Sequence, residues 1–294
     1  MDVLVTGGSG QVGIELLRQP WPDGVRLHAL GRDELDLCDP ASVTRVMASR
    51  RWDAVISSGA YTAVDKAEGD VAAAWTANAL APAILAKGAA EAGAPIVQIS
   101  TDYVFPGDKP EPYLEDDAVG PLGVYGASKE GGEQAVRTAN ARHVVLRTAW
   151  VVSPHRANFL KTMLRLGGER AELRVVADQL GCPTFAADLA AAIRVIVLRL
   201  AEDESAPVGT FHFVGEGEAS WAEFAAAIMQ EAEARGRPAA RIVPITTAEY
   251  PTPARRPANS RLSTARLRDA YGIVPPPWRR SLAVALDELD RAAR

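Results

Sequence analysis

The chain has 294 residues, 48% hydrophobic and 23% charged, with a formal net charge of -5. That length supports a substantial buried core in one large or two smaller domains. The mild acidity argues against nucleic acid or a membrane surface as the main partner, and two cysteines, Cys38 and Cys182, build neither a disulfide framework nor a metal-ligand spacing.

In chain order, "DVLVT" runs into a glycine loop and the helix-like "VGIELLRQ". "VRLHAL" precedes "PASVTRVMASR", and "DAVISS" precedes the long "EGDVAAAWTANALAPAILAKGAAEAG". "PIVQIS" leads through a Pro/Gly-rich loop to "VYGASKEGGEQA", and "HVVLRTAW" follows. Continuous apolar strands separated by helices predict a parallel sheet covered on both faces. Right-handed crossovers make it an α/β, doubly wound (Rossmann) sheet over residues 1–150.

After Trp150 the rhythm loosens. "ANFLKTMLRL" and "AADLAAAIRVIVLRLAE" read as helices and "GTFHFV" as a strand. Ser220 and Glu223 carry the spacing of a capping box at the start of "SWAEFAAAIMQEAEARG". Residues 151–294 are expected to form mainly a smaller α/β substrate lobe, with 183–202 packing back on the first domain. No apolar run reaches membrane-spanning length, and "MDVLVTGG" carries no charged-then-apolar leader, so a cytoplasmic protein is expected.

The loop "VTGGSGQVG" fits Gly8-x-Gly10-x-x-Gly13 and Gly7-x-x-Gly10-x-x-Gly13 together. Set between a strand and a helix, either register aims a helix N-terminus at a pyrophosphate. At the end of the second strand, a carboxylate reads a ribose 2′-hydroxyl and an arginine a 2′-phosphate. Here "LGRDELDL" offers Arg32, which points to NADPH, with NADH the alternative donor.

The fourth strand ends "QISTDYVF", so Thr101 and Asp102 lie at the carboxyl edge where doubly wound sheets bind ligands. Tyr125 and Lys129 are four apart and share a helix face. A hydroxyl, a phenol and an ammonium around one pocket suit carbonyl reduction. Hydride addition builds charge on oxygen, a phenol can supply the proton, and a nearby ammonium is expected to lower the phenol's pKa.

"TGGSGQVG", "STDYVF" and "VYGASKEGGE" resemble the extended short-chain dehydrogenases/reductases. "AYTAVDKAE", "PLGVYGASK", "RTAWV", "NFLKTMLRL", "DQLGCPT" and "YPTPARRPANSRL" narrow the resemblance to the branch that reduces dTDP-linked 4-keto-6-deoxyhexoses on the route to dTDP-L-rhamnose. The resemblance implies that Gly10, Gln11 and Val12 line the pyrophosphate turn. Asp36 and Leu37 would hold the adenine, and Ser58, Gly59 and Ala60 would run along the cofactor. It further implies Tyr125 as proton donor, Lys129 as its partner, Thr101 and Asp102 on the sugar, Trp150 packed on the substrate, and Val64 and Asp65 at the pocket border. A charge argument adds Arg256 and Arg261, since a diphosphate wants guanidinium partners.

Two departures stand out. "SSGA" at the third strand replaces the branch's usual "NAAA" but keeps small residues. Some members bind Mg²⁺ through glutamates at a dimer contact; Glu15 matches one, yet Ala187 stands where a second carboxylate is expected, with Asp188 one place on. No metal site is therefore expected, while a homodimer remains compatible. The rival readings are a sister reductase of another dTDP-4-keto-6-deoxysugar and a non-catalytic NADP-binding regulatory subunit.

Overall fold

The structure, a computed structural model, describes residues 1–292. β1 (Asp2–Thr6) leads into α1 (Gln11–Arg18), and β2 (Arg26–Leu30) into α2 (Pro40–Ala48). β3 (Ala54–Ser57) is followed by α3 (Val64–Ala67), α4 (Val71–Trp75), a π-helical segment Thr76–Leu80, and α5 (Ala81–Glu91). β4 (Ile96–Thr101), α6 (Val124–Ala139) and β5 (His143–Thr148) complete the first half. Next come β6 (Val151–Val152), α7 (Phe159–Glu169), β7 (Glu172–Val176), β8 (Leu180–Gly181), β9 (Thr184–Phe185) and α8 (Ala186–Glu202). β10 (Gly209–His212), β11 (Ala219–Ser220), α9 (Trp221–Ala234), β12 (Arg241–Ile245), α10 (Ala265–Tyr271) and α11 (Trp278–Ala292) follow.

Six parallel strands form the main sheet in the order β2-β1-β3-β4-β5-β10. Successive side chains on a strand face opposite ways, and the apolar residues divide accordingly. Val3, Val5, Ala54, Ile56, Val97, Ile99, Val144 and Leu146 pack on one face with α1 and α8. Leu4, Val55, Ile96 and Val145 pack on the other, against Val43, Leu85, Ala89 and Val136 from α2, α5 and α6. Both faces are dry, which is why the strands read as unbroken apolar runs.

The C-terminal half returns to this sheet. α8 supplies Leu189, Ile193, Ile196, Val197 and Leu200 to the first core. "GTFHFV", which the sequence groups with the lobe, joins the main sheet instead. As β10 it pairs with β5, because Phe211 and Phe213 complete the α8 core. The rest is a smaller lobe around the parallel pair β7–β12, with Leu160, Met163, Phe224, Ile228, Leu282 and Leu286 at its centre. α9 opens with the capping box the sequence predicts, Ser220 Oγ accepting from the Glu223 amide at 3.1 Å and Glu223 accepting from the Ser220 amide at 2.7 Å. Among the described residues no helix is long and apolar enough to cross a membrane.

Candidate active site

The order in which strands are added reverses between β1 and β3, and the glycine loop sits at that switch point. Gly7 has φ 69°, and a Cβ there would fall 2.7 Å from the Gly59 Cα. At Gly13 it would fall 2.3 Å from the Gly7 carbonyl oxygen. The first turn of α1 thus packs directly on the ends of β1 and β3, which only glycine permits. The N-cap is Gly10, without a side-chain cap, and the first turn holds no acid. Unpaired amides and a positive helix end are left facing the crevice, an arrangement that favours a phosphate. Gln11 is held from the C-terminal half: its Oε1 accepts from Ser153 Oγ at 2.9 Å and Asn158 Nδ2 at 2.8 Å. Val12, next in the turn, packs against the first core.

The other cofactor candidates border the same crevice. Ser58 Oγ donates to the Thr6 carbonyl at 2.6 Å, and the Gly59 amide to Thr6 Oγ1 at 2.9 Å, which pins the segment running into Ala60. Gly59 lies close to the glycine loop: a Cβ there would fall 2.8 Å from Leu37 Cδ1 and 3.1 Å from the Gly7 amide nitrogen. Asp36 Oδ1 accepts from the Cys38 amide at 2.9 Å, so part of this carboxylate closes its own turn. Arg32 is exposed, its Nε 3.7 Å from Asp36 Oδ1.

At the end of β4, Thr101 Oγ1 donates to Asp102 Oδ1 at 3.0 Å and accepts from the Tyr103 amide at 3.2 Å. Burial pushes the Asp102 carboxyl up to about 6, opposed by hydrogen bonds from Ser260 and Thr101, and Asp102 Oδ2 has no protein partner. Tyr125, at the start of α6, meets the Tyr103 ring edge-to-face at 5.4 Å. Burial and the Asp102 charge push its phenol up to about 12 against a smaller downward pull from Thr101.

The expected lowering of the Tyr125 pKa by Lys129 is overturned. Lys129 Nζ donates to the Ile99 carbonyl at 2.6 Å, and burial lowers its own pKa to about 8 against support from Glu133. The ammonium is spent on β4 rather than on the phenol. Tyr125 is consequently a group that keeps its proton, which suits a donor.

Two positioning elements escaped the sequence reading. Glu133 is fully buried and bound by Arg147 through Nε at 2.9 Å and Nη2 at 2.7 Å, by Arg137 at 3.0 Å and by Ser100 Oγ at 2.5 Å. It bolts α6 to β4 and β5. Its signal was present, since Tyr125, Lys129 and Glu133 follow one another at four-residue steps. The second is Asn78, buried in the π-helical segment where one long helix was expected. Asn78 exchanges hydrogen bonds with Tyr61, accepting from its amide at 2.8 Å and donating to its carbonyl at 3.1 Å, and donates to Ser128 Oγ at 3.0 Å. The extra residue in the turn, with Pro82 removing an amide just beyond, aims this side chain at the loop after β3.

On the substrate side, Asp65 beside Val64 in α3 takes Arg256 Nη2 at 2.7 Å and the Ala254 amide at 3.1 Å, drawing the proline-rich loop onto the sheet edge. Arg256 Nη1 has no protein partner. Arg261 does not fit the diphosphate expectation. Its guanidinium is committed to Glu218 at 2.7 Å, Asn259 Oδ1 at 2.9 Å and the Pro110 carbonyl, so it braces two loops. Trp150 has φ 51° and stacks on Trp221 with centroids 3.5 Å apart, its ring also filling the space over Gly181. The stack joins the two halves beside the pocket.

The Mg²⁺ expectation also meets the structure. Glu15 is buried against His155 at 3.2 Å and Arg18 at 3.7 Å, while Asp188 accepts from Ser281 Oγ at 2.6 Å. Glu15 Oε1 is buried without a hydrogen-bond partner, and among the described residues no group of three His, Cys, Asp or Glu is arranged to hold a metal.

Known proteins match along the whole chain. The family described as "RmlD substrate binding domain" matches residues 1–291. The dTDP-4-dehydrorhamnose reductase of Sinorhizobium fredii is 46% identical, over 96% of this chain and 95% of that protein. That of Escherichia coli K12 is 41% identical over 98% of each. A solved dTDP-4-dehydrorhamnose reductase from Clostridium acetobutylicum superposes with a TM-score of 0.92 at 37% identity, covering 99% of this chain and 100% of that one. The Bacillus anthracis enzyme, solved in complex with NADP, gives 0.90 at 36% identity over 98% and 99%. The chain belongs to the dTDP-4-dehydrorhamnose reductase family of Rossmann-fold oxidoreductases.

Proposed function

We propose that the chain reduces the C4 ketone of dTDP-4-dehydro-β-L-rhamnose with NADPH, giving dTDP-β-L-rhamnose. The observation that carries the reading is the half-buried Tyr125 at the start of α6, packed on Tyr103, with Thr101 and Asp102 hydrogen-bonded at the carboxyl edge of β4 and Lys129 one turn along the same helix. The names of the relatives, and the NADP held by one of them, support the substrate and the donor. Bound in the crevice between β1 and β3, NADPH supplies a hydride to the carbonyl carbon.

Tyr125 then gives its proton to the sugar oxygen. That alkoxide is a far stronger base than the phenolate of a group with pKa about 12, so the transfer runs downhill. The Thr101 hydroxyl turns from Asp102 to the phenolate left behind. Lys129, anchored on the Ile99 carbonyl, holds the ribose hydroxyls. Gly7, Gly10, Gln11, Val12 and Gly13 carry the diphosphate, Arg32, Asp36 and Leu37 the adenosine, and Ser58, Gly59 and Ala60 the nicotinamide half. Asp102, Val64, Asp65, Trp150 and Arg256 border the sugar nucleotide.

Turnover of purified protein with a panel of dTDP-4-keto-6-deoxysugars, each with NADPH and with NADH, tests the assignment. Highest kcat/KM for the rhamnose precursor with NADPH is expected. Preference for another keto sugar would transfer the chain to a sister reaction, and absence of turnover with every sugar would remove the catalytic reading.

The pH profile has a definite sign. Lys129 is charged below about 8 and loses its proton above it, while Tyr125 stays protonated throughout. Activity is therefore expected to fall above pH 8 with loss of one proton, and Lys129→Met should abolish that limb along with most of the rate. For stability the sign is opposite. The folded pKa lies below the ordinary 10.5, so the unfolded chain binds more protons between the two values and stability rises with pH across that window.

A further inference from the structure

We propose that Arg156 reaches from the C-terminal half to bind the diphosphate of the dinucleotide, an inference that rests on the cofactor reading above. Arg156 lies in the loop between β6 and α7 and has φ 59°. A left-handed arginine is strained, because its Cβ crowds the following carbonyl and it has no short polar side chain to compensate. Such strain persists only where the surroundings impose it.

Here they do. His155 donates its amide to Ser153 Oγ at 3.1 Å, and Asn158 Nδ2 donates to the Ser153 and His155 carbonyls at 2.8 and 3.1 Å. Both Ser153 and Asn158 also hold Gln11, the first residue of α1. The loop is thereby clamped over the helix start that faces the crevice.

From this position Arg156 Nε donates to the Ser9 carbonyl at 2.6 Å, inside the glycine loop and two residues before α1 begins. Residues that close in sequence have Cα atoms at most about 7 Å apart. The guanidinium is thereby tethered in the glycine loop just ahead of Gln11, the first residue of α1. Its terminal nitrogens stay exposed, with no hydrogen-bond or carboxylate partner among the described residues.

A planar donor fork held by one corner beside a helix N-terminus matches a diphosphate, which the helix alone meets with neutral amides. The 2′-phosphate is the less suitable target. Ser9 Oγ lies 3.7 Å from a Cβ position at Gly31, so Ser9's side chain faces the β2 end that Arg32 serves. Its carbonyl takes Arg156 from a loop that Ser153 and Asn158 tie to Gln11.

Glycine suits the left-handed backbone and removes the charge, so Arg156→Gly separates binding from folding. Dissociation constants for NADPH and for NADH, read by fluorescence titration, are expected to rise by the same factor of about ten. That factor corresponds to about 1.4 kcal/mol. The melting temperature should hold or increase, and binding of dTDP, read by calorimetry, should persist as the control. Arg156→Lys, with charge but no fork, is expected between the two.

Unchanged affinity for both nicotinamides would overturn the inference. So would a loss confined to NADPH, which would reassign Arg156 to the 2′-phosphate, or a loss accompanied by a fall in melting temperature. Failure of the unsubstituted protein to bind either nicotinamide would instead defeat the cofactor reading itself.

Discussion

Tyr125→Phe is expected to lower kcat by about 10²- to 10⁴-fold, the range for losing a positioned proton donor. At about 1.4 kcal/mol per tenfold, that removes roughly 3–5 kcal/mol of transition-state stabilisation. The change deletes one oxygen and keeps the ring that packs on Tyr103. NADPH affinity should consequently stay within about twofold, because the crevice between β1 and β3 is built without the phenol. Stopped-flow turnover together with cofactor titration checks both halves. A kcat within tenfold of the unsubstituted protein would sink the mechanism.

The second large effect lies beneath the site. Glu133 is buried with Arg147, whose side chain is 3% exposed. Glu133→Gln leaves that guanidinium without its counter-charge, at a cost of about 3–5 kcal/mol. For a chain of this size the melting temperature should fall by roughly 10 °C. Adding Arg147→Met removes the stranded charge and should recover part of the loss, since apolar replacement of a buried pair is often neutral or better.

Activity supplies a separate readout. Glu133 supports the charged form of Lys129, so without it the ammonium titrates at lower pH. The alkaline limb of the rate profile should move below its position in the unsubstituted protein. A destabilised variant with an unmoved limb would show that Glu133 holds the helix but not the lysine.

The cofactor loop and the Tyr125–Lys129 pair were legible because each is a local spacing. A strand, a run of glycines and a helix start are contiguous, and residues four apart on one helix share a face. The same holds for the Ser220–Glu223 capping box. Strand pairing by β10 was not legible, since "GTFHFV" reads alike in either half of the chain. Its place follows from an empty edge on β5 and an unfilled core beside α8, both supplied by residues far away.

Side-chain commitments were equally hidden. Arg256 and Arg261 carry the same charge in the sequence. The fold brings Asp65 to one, leaving a donor unpaired, and Glu218, Asn259 and the Pro110 carbonyl to the other, so that each of its three nitrogens already has a protein partner. Lys129 could face the phenol or the strand, and the Ile99 carbonyl decides it.

What the amino-acid order determines alone is therefore the periodic and contiguous part: alternating apolar faces, the glycine turn, and which polar groups share a helix stripe. Which carboxylate neutralises which arginine, whether a buried phenol gains or loses acidity, and which strand closes the sheet were decided by tertiary contact. Charge and desolvation act through space over a few ångströms, and the chain reaches those distances only after it has folded.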